Sequence, residues 1–268
     1  MIVTSIIALL MVGGSALVWW GQRSLIYFPG GSAPSVEDAL PGAEEVSLST
    51  DDDLELDAWF LSPSSEADRG QAVLYLPGNA GDRSSRSGIA TELSERGFGV
   101  LLLDYRGFGG NPGSPSEEGL ASDARAGVVA LEEQDYEPED LIYMGESLGT
   151  GVAARLHHDV PPAGLILRSP FPDLASLGQE HYPLLPVQRM LRDDFPVLEH
   201  VSGSEVPTTV IYGDYDEVVP ASQSREVADA VGQNLVEELE ISGARHNDPV
   251  MFGPEVAEAA ARLADTID

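Results

Sequence analysis

A serine hydroxyl becomes a nucleophile when a histidine takes its proton and a carboxylate orients and stabilises the resulting imidazolium. The 268-residue chain offers one serine in a setting of that kind, Ser147 in the stretch LIYMGESLGTGVAARL, flanked by Gly145 and Gly149. With 28 glycines and 25 serines in the chain, a Gly-x-Ser-x-Gly carries little weight alone. The chemistry needs a strand that ends in a tight turn and passes directly into a helix, so that the serine oxygen projects above the sheet edge. Leu141 to Met144 read as that strand and Thr150 to His157 as that helix, with Gly151, Ala153 and Ala154 keeping it slim enough to pack on the sheet.

Five histidines compete for the role of base. His157 and His158 lie ten or more positions into the helix that Ser147 starts, roughly 15 Å along its axis, which is out of reach. His181 and His200 fall in a proline-rich region where a structural or surface role is the default. His246, in SGARHND, follows the last strand, at a loop that a parallel sheet places at its carboxyl edge. The strand TTVIYG runs into DYDEVVP, so Asp214, Asp216 and Glu217 are carboxylates at the same edge. The order Ser147, then Asp216, then His246, each after a strand, is the hydrolase order.

An alkoxide developing on a substrate needs backbone N–H donors. Leu148, next to the nucleophile at the positive end of its helix, is one expected donor. The loop YLPGNAGD supplies the other, at Asn79 or Ala80. A phosphate-binding reading of that loop fails, because neither G-x-G-x-x-G nor a Walker lysine is present and the chain has no lysine.

These residues require a sheet to place them. LELDAWFL alternates apolar and polar positions, and with Glu45 to Ser49 it predicts an antiparallel opening with one wet face. From Gln71 onward, continuous apolar runs (QAVLYLP, GVLLLDY, LIYMG, AGLILRS, TTVIYG, LVEELEIS) alternate with helical stretches at 82–95, 117–133 and 255–265. That alternation predicts a mostly parallel sheet covered by helices on both faces. Residues 170–206, with five prolines and a short helical stretch at 186–191, interrupt it and are expected to form a cap-like insertion over the substrate mouth.

Composition limits the partners. Forty-five acidic residues face 14 basic ones, all arginine, for a formal net charge of −31. Such a field repels nucleic acid, which is excluded as a partner, and its lysine-free, carboxylate-rich character predicts a surface adapted to high salt. The absence of cysteine excludes disulfides, thiolate nucleophiles and cysteine metal sites. Residues 1–20, MIVTSIIALLMVGGSALVWW, carry no charged side chain and would span about 30 Å as a helix. They are expected to form a single-pass membrane anchor rather than a cleaved signal peptide, because no basic segment precedes the apolar run. A tether over 21–42 and a catalytic domain over 43–268 complete the expected organisation.

The stretches QRSLIYFP, LPGNAGDRSSR, LLLDYRGFGGNPGSPSEEGL, GESLGTGVA, EHYPLLPVQRMLRDDFP, GDYDEVVP and GARHND together resemble the α/β-hydrolase superfamily. Within it they are similar to the Bem46-like, or ABHD13/ABHD17-like, membrane-anchored serine hydrolases. The resemblance implies an eight-stranded α/β-hydrolase fold in which Ser147 is nucleophile, His246 base and Asp216 acid, preferred over Asp214 because Gly213, Asp216, Val219 and Pro220 match the Gly-x-x-Asp-x-x-Val-Pro pattern. It also implies an oxyanion hole from the amides of Leu148 and Asn79, although Pro77 stands where relatives tend to carry histidine, and no metal or organic cofactor. The expected activity is hydrolysis of carboxylic esters or thioesters of acyl or lipid-like character through an acyl-enzyme. A peptidase, an acyltransferase using the same residues and a catalytically silent membrane scaffold are the alternatives.

Overall fold

Runs of Val, Ile, Leu and Tyr separated by amphipathic stretches bury both faces of a sheet, because the connecting helices cover them. In the computed structural model, which describes residues 19–64 and 68–267, the strands are β1 (Phe28–Pro29), β2 (Glu44–Ser49), β3 (Glu55–Leu61), β4 (Gln71–Leu76), β5 (Ala80–Gly81), β6 (Phe98–Leu103), β7 (Leu141–Glu146), β8 (Gly164–Arg168), β9 (Thr208–Gly213) and β10 (Leu235–Ile241), with such runs in β4 and β6 to β9. Eight of them make one sheet in the order β10-β9-β8-β7-β4-β6-β3-β2, while β1 pairs with β5 apart from it. β2 and β3 pair antiparallel, as do β3 and β6. The remaining neighbours in the large sheet are parallel. The expected eight-stranded, mostly parallel sheet with an antiparallel opening is the one that forms.

The helices are α1 (Arg23–Ile26), α2 (Val36–Ala39), α3 (Ser87–Glu95), α4 (Glu117–Glu132), α5 (Leu148–Asp159), α6 (Leu174–His181), α7 (Val187–Met190), α8 (Val197–Val201), α9 (Ala221–Val231) and α10 (Pro254–Ile267). Successive strand residues point to opposite faces, and the two cores sort accordingly. Ala72, Leu74 and Leu76 of β4 pack with Leu120, Val152 and Val227 of α4, α5 and α9. Val73 and Tyr75 of the same strand pack on the other side with Ile89, Leu93 and Leu263 of α3 and α10. The stretch expected as one helix over 82–95 starts as a 3-10 turn, Arg83–Arg86, because the Asp82 side chain accepts the Ser84 amide and tightens the first turn.

The insertion over 170–206 divides by burial. α8 belongs to the core, with Val197 and Val201 fully covered. α6 and α7 lie outside it and carry one buried residue each, Ala175 and Val187.

The anchor expected over 1–20 falls almost wholly on residues 1–18, outside the described residues. Among the described residues no helix is long and apolar enough to cross a membrane. The start of the expected tether is tightly held. Gln22 donates to the Met190 carbonyl (2.9 Å) and accepts the Arg192 amide (2.8 Å). Arg23 makes two 2.9 Å bonds to the Asp193 carboxylate, which also accepts the Tyr27 hydroxyl at 3.1 Å.

Candidate active site

Ser147 sits where β7 passes into α5, with φ 51° and ψ −116°, in the left-handed half of backbone space that a residue with a side chain rarely enters. The two flanking glycines are explained by what surrounds that turn. A Cβ on Gly145 would come within 2.6 Å of the Gly149 carbonyl oxygen, and one on Gly149 would run into the carbonyl oxygen of Leu76. Ser147 therefore stands on a strand–turn–helix junction packed directly on the end of β4. Its own amide donates to the Arg168 carbonyl (2.8 Å), and its carbonyl accepts the Thr150 amide and hydroxyl (2.9 and 2.6 Å).

Of the carboxylates after β9, Asp216 is the one that meets a histidine: its Oδ2 lies 2.6 Å from Nδ1 of His246. Oδ1 accepts the amides of Val218 and Val219 (2.9 and 2.8 Å), so both oxygens are occupied. Burial alone would raise the Asp216 carboxyl. The hydrogen bond and charge of His246, together with those two amides, outweigh it and hold the group below the usual carboxylate range. Asp214 instead accepts the Gly243 amide and ties down the loop that carries His246. Gly213 lets that loop pass over the end of β9, since a Cβ there would run into the Ala244 carbonyl oxygen. With Nδ1 facing Asp216, Nε2 is the ring nitrogen left to handle a proton. No hydrogen bond joins Ser147 to His246 among the described residues, a common state before a substrate tightens the site.

Beneath the turn lies a charged cluster that sequence reasoning did not single out. Glu146, the variable residue of the motif, is buried with Arg86 (Nε and Nη2 at 3.0 and 2.6 Å) and the Tyr75 hydroxyl at 2.9 Å. Arg168 adds a 3.1 Å ion contact to the same carboxylate and lies over the Phe252 ring, 4.5 Å from its centre. Its Nη1 donates to the His246 carbonyl at 2.9 Å. Arg168 thus touches the backbone of both Ser147 and His246. Burial pushes the Glu146 carboxyl up, but the two guanidiniums and the bonds from Arg86 and Tyr75 dominate and bring it down to about 2.

A folded-state value below the unfolded one means stability that is present above pH 4.5, the ordinary value, and is lost as pH falls toward 2. Replacing Glu146 by Gln leaves two buried guanidiniums without an anion, a change that costs about 3–5 kcal/mol in comparable buried pairs. Thermal unfolding at pH 7 is expected to fall by roughly 10 °C. The variant's stability should also vary less than the wild type's between pH 4.5 and 2. An unchanged melting temperature would remove the cluster as a support of the turn.

Ser147, Leu148 and Asn79 line one cavity of about 530 Å3, whose other walls are mainly apolar. Neither the Leu148 nor the Asn79 amide donates to another described residue, so both N–H groups are free for a ligand. The Asn79 side chain and carbonyl are held by the Ile26 carbonyl and the Phe28 amide (2.5 and 2.8 Å). Ala80, the other donor weighed from sequence, pairs in the β1–β5 ladder and does not line the cavity. Sequence reasoning placed the substrate mouth on the insertion, of which Leu174, Leu177, Tyr182 and Leu185 line this cavity. It missed Gln22, Leu25, Ile26 and Phe28, assigned to a tether, which also line the cavity. His181, expected in a structural or surface role, is exposed, lines the cavity and bonds the Val218 carbonyl at 2.8 Å. Among the described residues no cluster of His, Asp and Glu could hold a metal ion.

The hydrolase family described as serine aminopeptidase, S33, matches residues 68–196, which contain Ser147, Leu148 and Asn79 and end before Asp216 and His246. The chain is 44% identical over 262 residues to the uncharacterized protein Rv2307c of Mycobacterium tuberculosis, a match that covers 97% of this chain and 92% of that protein. It is 34% identical over 182 residues to the lysophosphatidylserine lipase ABHD12 of Danio rerio, covering 60% of this chain and 47% of the relative. Among solved structures, the Pyrococcus furiosus esterase Pf2001 superposes with a TM-score of 0.72 at 20% identity, over 90% of this chain and 99% of that one, a likeness of fold. The serine junction at the end of a parallel strand, the sheet order and these relatives agree: the chain has the α/β-hydrolase fold and is a hydrolase.

Proposed function

We propose that the protein is a serine esterase or thioesterase of the Bem46-like, membrane-anchored kind, acting on substrates with an apolar acyl chain. The observation that carries the reading is the cavity: Ser147 lines one mainly apolar volume of about 530 Å3 with Leu148 and Asn79, whose amides are free, and the volume is within the range that holds a small ligand. In the proposed reaction the Ser147 oxygen attacks the acyl carbonyl as Nε2 of His246 takes its proton. The oxyanion accepts hydrogen bonds from the Leu148 and Asn79 amides. His246 returns the proton to the departing alcohol or thiol, leaving an acyl-serine. Water, deprotonated by the same nitrogen, attacks the acyl-serine and releases the acid. Asp216 stays ionised throughout and stabilises the imidazolium.

The aminopeptidase description of the matching family favours a second reading, cleavage of amides at a free amino terminus. Binding an ammonium group calls for a carboxylate in the pocket. None of the described residues lining this cavity is Asp or Glu, which favours the acyl reading.

A series of p-nitrophenyl esters and acyl thioesters of graded chain length, assayed in multimolar KCl to match the acidic surface, tests the choice. Each methylene buried in the cavity is worth about 0.8 kcal/mol, or about fourfold in kcat/KM. The hexanoate is expected to exceed the acetate by at least tenfold. Negligible ester turnover combined with cleavage of aminoacyl p-nitroanilides would replace the esterase reading with the peptidase one.

A further inference from the structure

Acidic residues make up about one in six of the chain, yet residues 1–36 contain none and neither do residues 181–192. Folding brings these two acid-free stretches onto the same opening. Leu25, Ile26 and Phe28 of the first line the cavity together with Tyr182, Leu185 and Leu191 of the second. Around the rim the apolar side chains face solvent: Trp19, Trp20, Leu25 and Phe28 from the first stretch, with Tyr182, Leu184 and Leu185 from the second. Leu184 is 96% exposed and Trp20 77%, a degree of exposure that a soluble surface does not normally gather in one patch. Arg23 and the exposed Arg189 and Arg192 supply the charge there, and the Arg192 guanidinium lies over the Trp19 ring at 4.8 Å.

The clamp on Gln22 fixes where this patch stands. The uncharged run of residues 1–20 ends two residues before Gln22, and two residues span at most about 7 Å. Gln22 and Arg23 are bound to Met190, Arg192 and Asp193. With residues 1–20 as the membrane anchor, the cavity mouth has no slack to move away from the bilayer.

We propose that this acid-free rim, with Leu184 and Leu185 at its tip, beds into the headgroup layer of the same bilayer, so that the cavity opens toward the acyl chains and takes ester substrates directly from the membrane. The proposal rests on the esterase reading and on the anchor. It names the source of substrate and the surface that receives it. Exposed leucines and aromatics supply the apolar contact, and the arginines stand at the level of lipid phosphates. The remaining surface, bearing the acidic excess, is repelled from anionic lipid, which leaves this face as the one that approaches.

The native chain has no cysteine, so a Leu184→Cys substitution in the full chain gives a single site for a nitroxide. Val129→Cys, an exposed position on α4, is the reference. In phosphatidylcholine vesicles the label at 184 is expected to gain accessibility to oxygen and lose accessibility to a water-soluble nickel chelate, while that at 129 stays aqueous. Equal nickel accessibility at the two sites would overturn the proposal. So would burial of the 184 label from both reagents with formation of dimers, which would give the face to a second copy. Co-flotation with the vesicles reads the anchor separately. Leu184→Asp, outside the cavity lining, is expected to lower turnover of a vesicle-borne long-chain ester at least fivefold with no change on soluble p-nitrophenyl butyrate. Equal loss on both substrates would also refute the docking role. Absence of soluble-ester turnover in the wild type would count against the esterase reading alone.

Discussion

Ser147→Ala is expected to abolish labelling by a fluorophosphonate probe and to lower kcat for ester hydrolysis by about 10^4 to 10^6-fold, the range seen when a serine nucleophile is removed. The substitution is a clean one here. Ser147 is the N-cap residue of α5, but its side chain makes no capping hydrogen bond, and its structural contacts run through its amide and carbonyl. Alanine keeps both and faces the same left-handed backbone, so melting is expected to change by less than a few degrees. A folded variant that still labels like the wild type would assign the chemistry to another residue.

Asp216→Asn is expected to lower kcat by about 10^4-fold. The reason lies in the two oxygens. Oδ1 is fixed by the Val218 and Val219 amides, so the asparagine must keep its carbonyl oxygen there and turn its NH2 toward His246. A donor facing Nδ1 makes that nitrogen the acceptor and places the ring proton on Nε2. The base then has no lone pair for the Ser147 proton. Asp214→Asn, which acts on the loop amide of Gly243 and not on the ring, is the control. Its effect is expected to stay within about tenfold, and an equal loss in both variants would show that the acid works by holding the loop.

The positions that carry the proposed chemistry were legible because each follows a strand. Continuous apolar runs and the glycines at 145 and 149 locate the serine junction, and chain order locates the proposed acid and base. The choice between Asp214 and Asp216 depended on resemblance, since both stand at one sheet edge and only the folded loop separates a ring contact from an amide contact. Glu146 was not legible. A glutamate after a buried strand reads as solvated, and its partners Arg86 and Arg168 lie 60 and 22 residues away. The wall contributed by Gln22 to Phe28 escaped for a related reason. The glycines and prolines that follow it at 29–34 signal a linker, while the bonds that fix it come from Asn79 and from residues 190–193.

Gly149 lies so close to the Leu76 carbonyl that helix α5 and the end of β4 cannot shift independently. One proposed oxyanion donor, Leu148, precedes that contact by one residue, and the other, Asn79, follows Leu76 by three. The two dipoles are thereby set at a fixed angle before any substrate arrives, so the reorganisation that water must undergo around a nascent anion is already complete in the folded chain. Folding, in this sense, performs part of the reaction in advance.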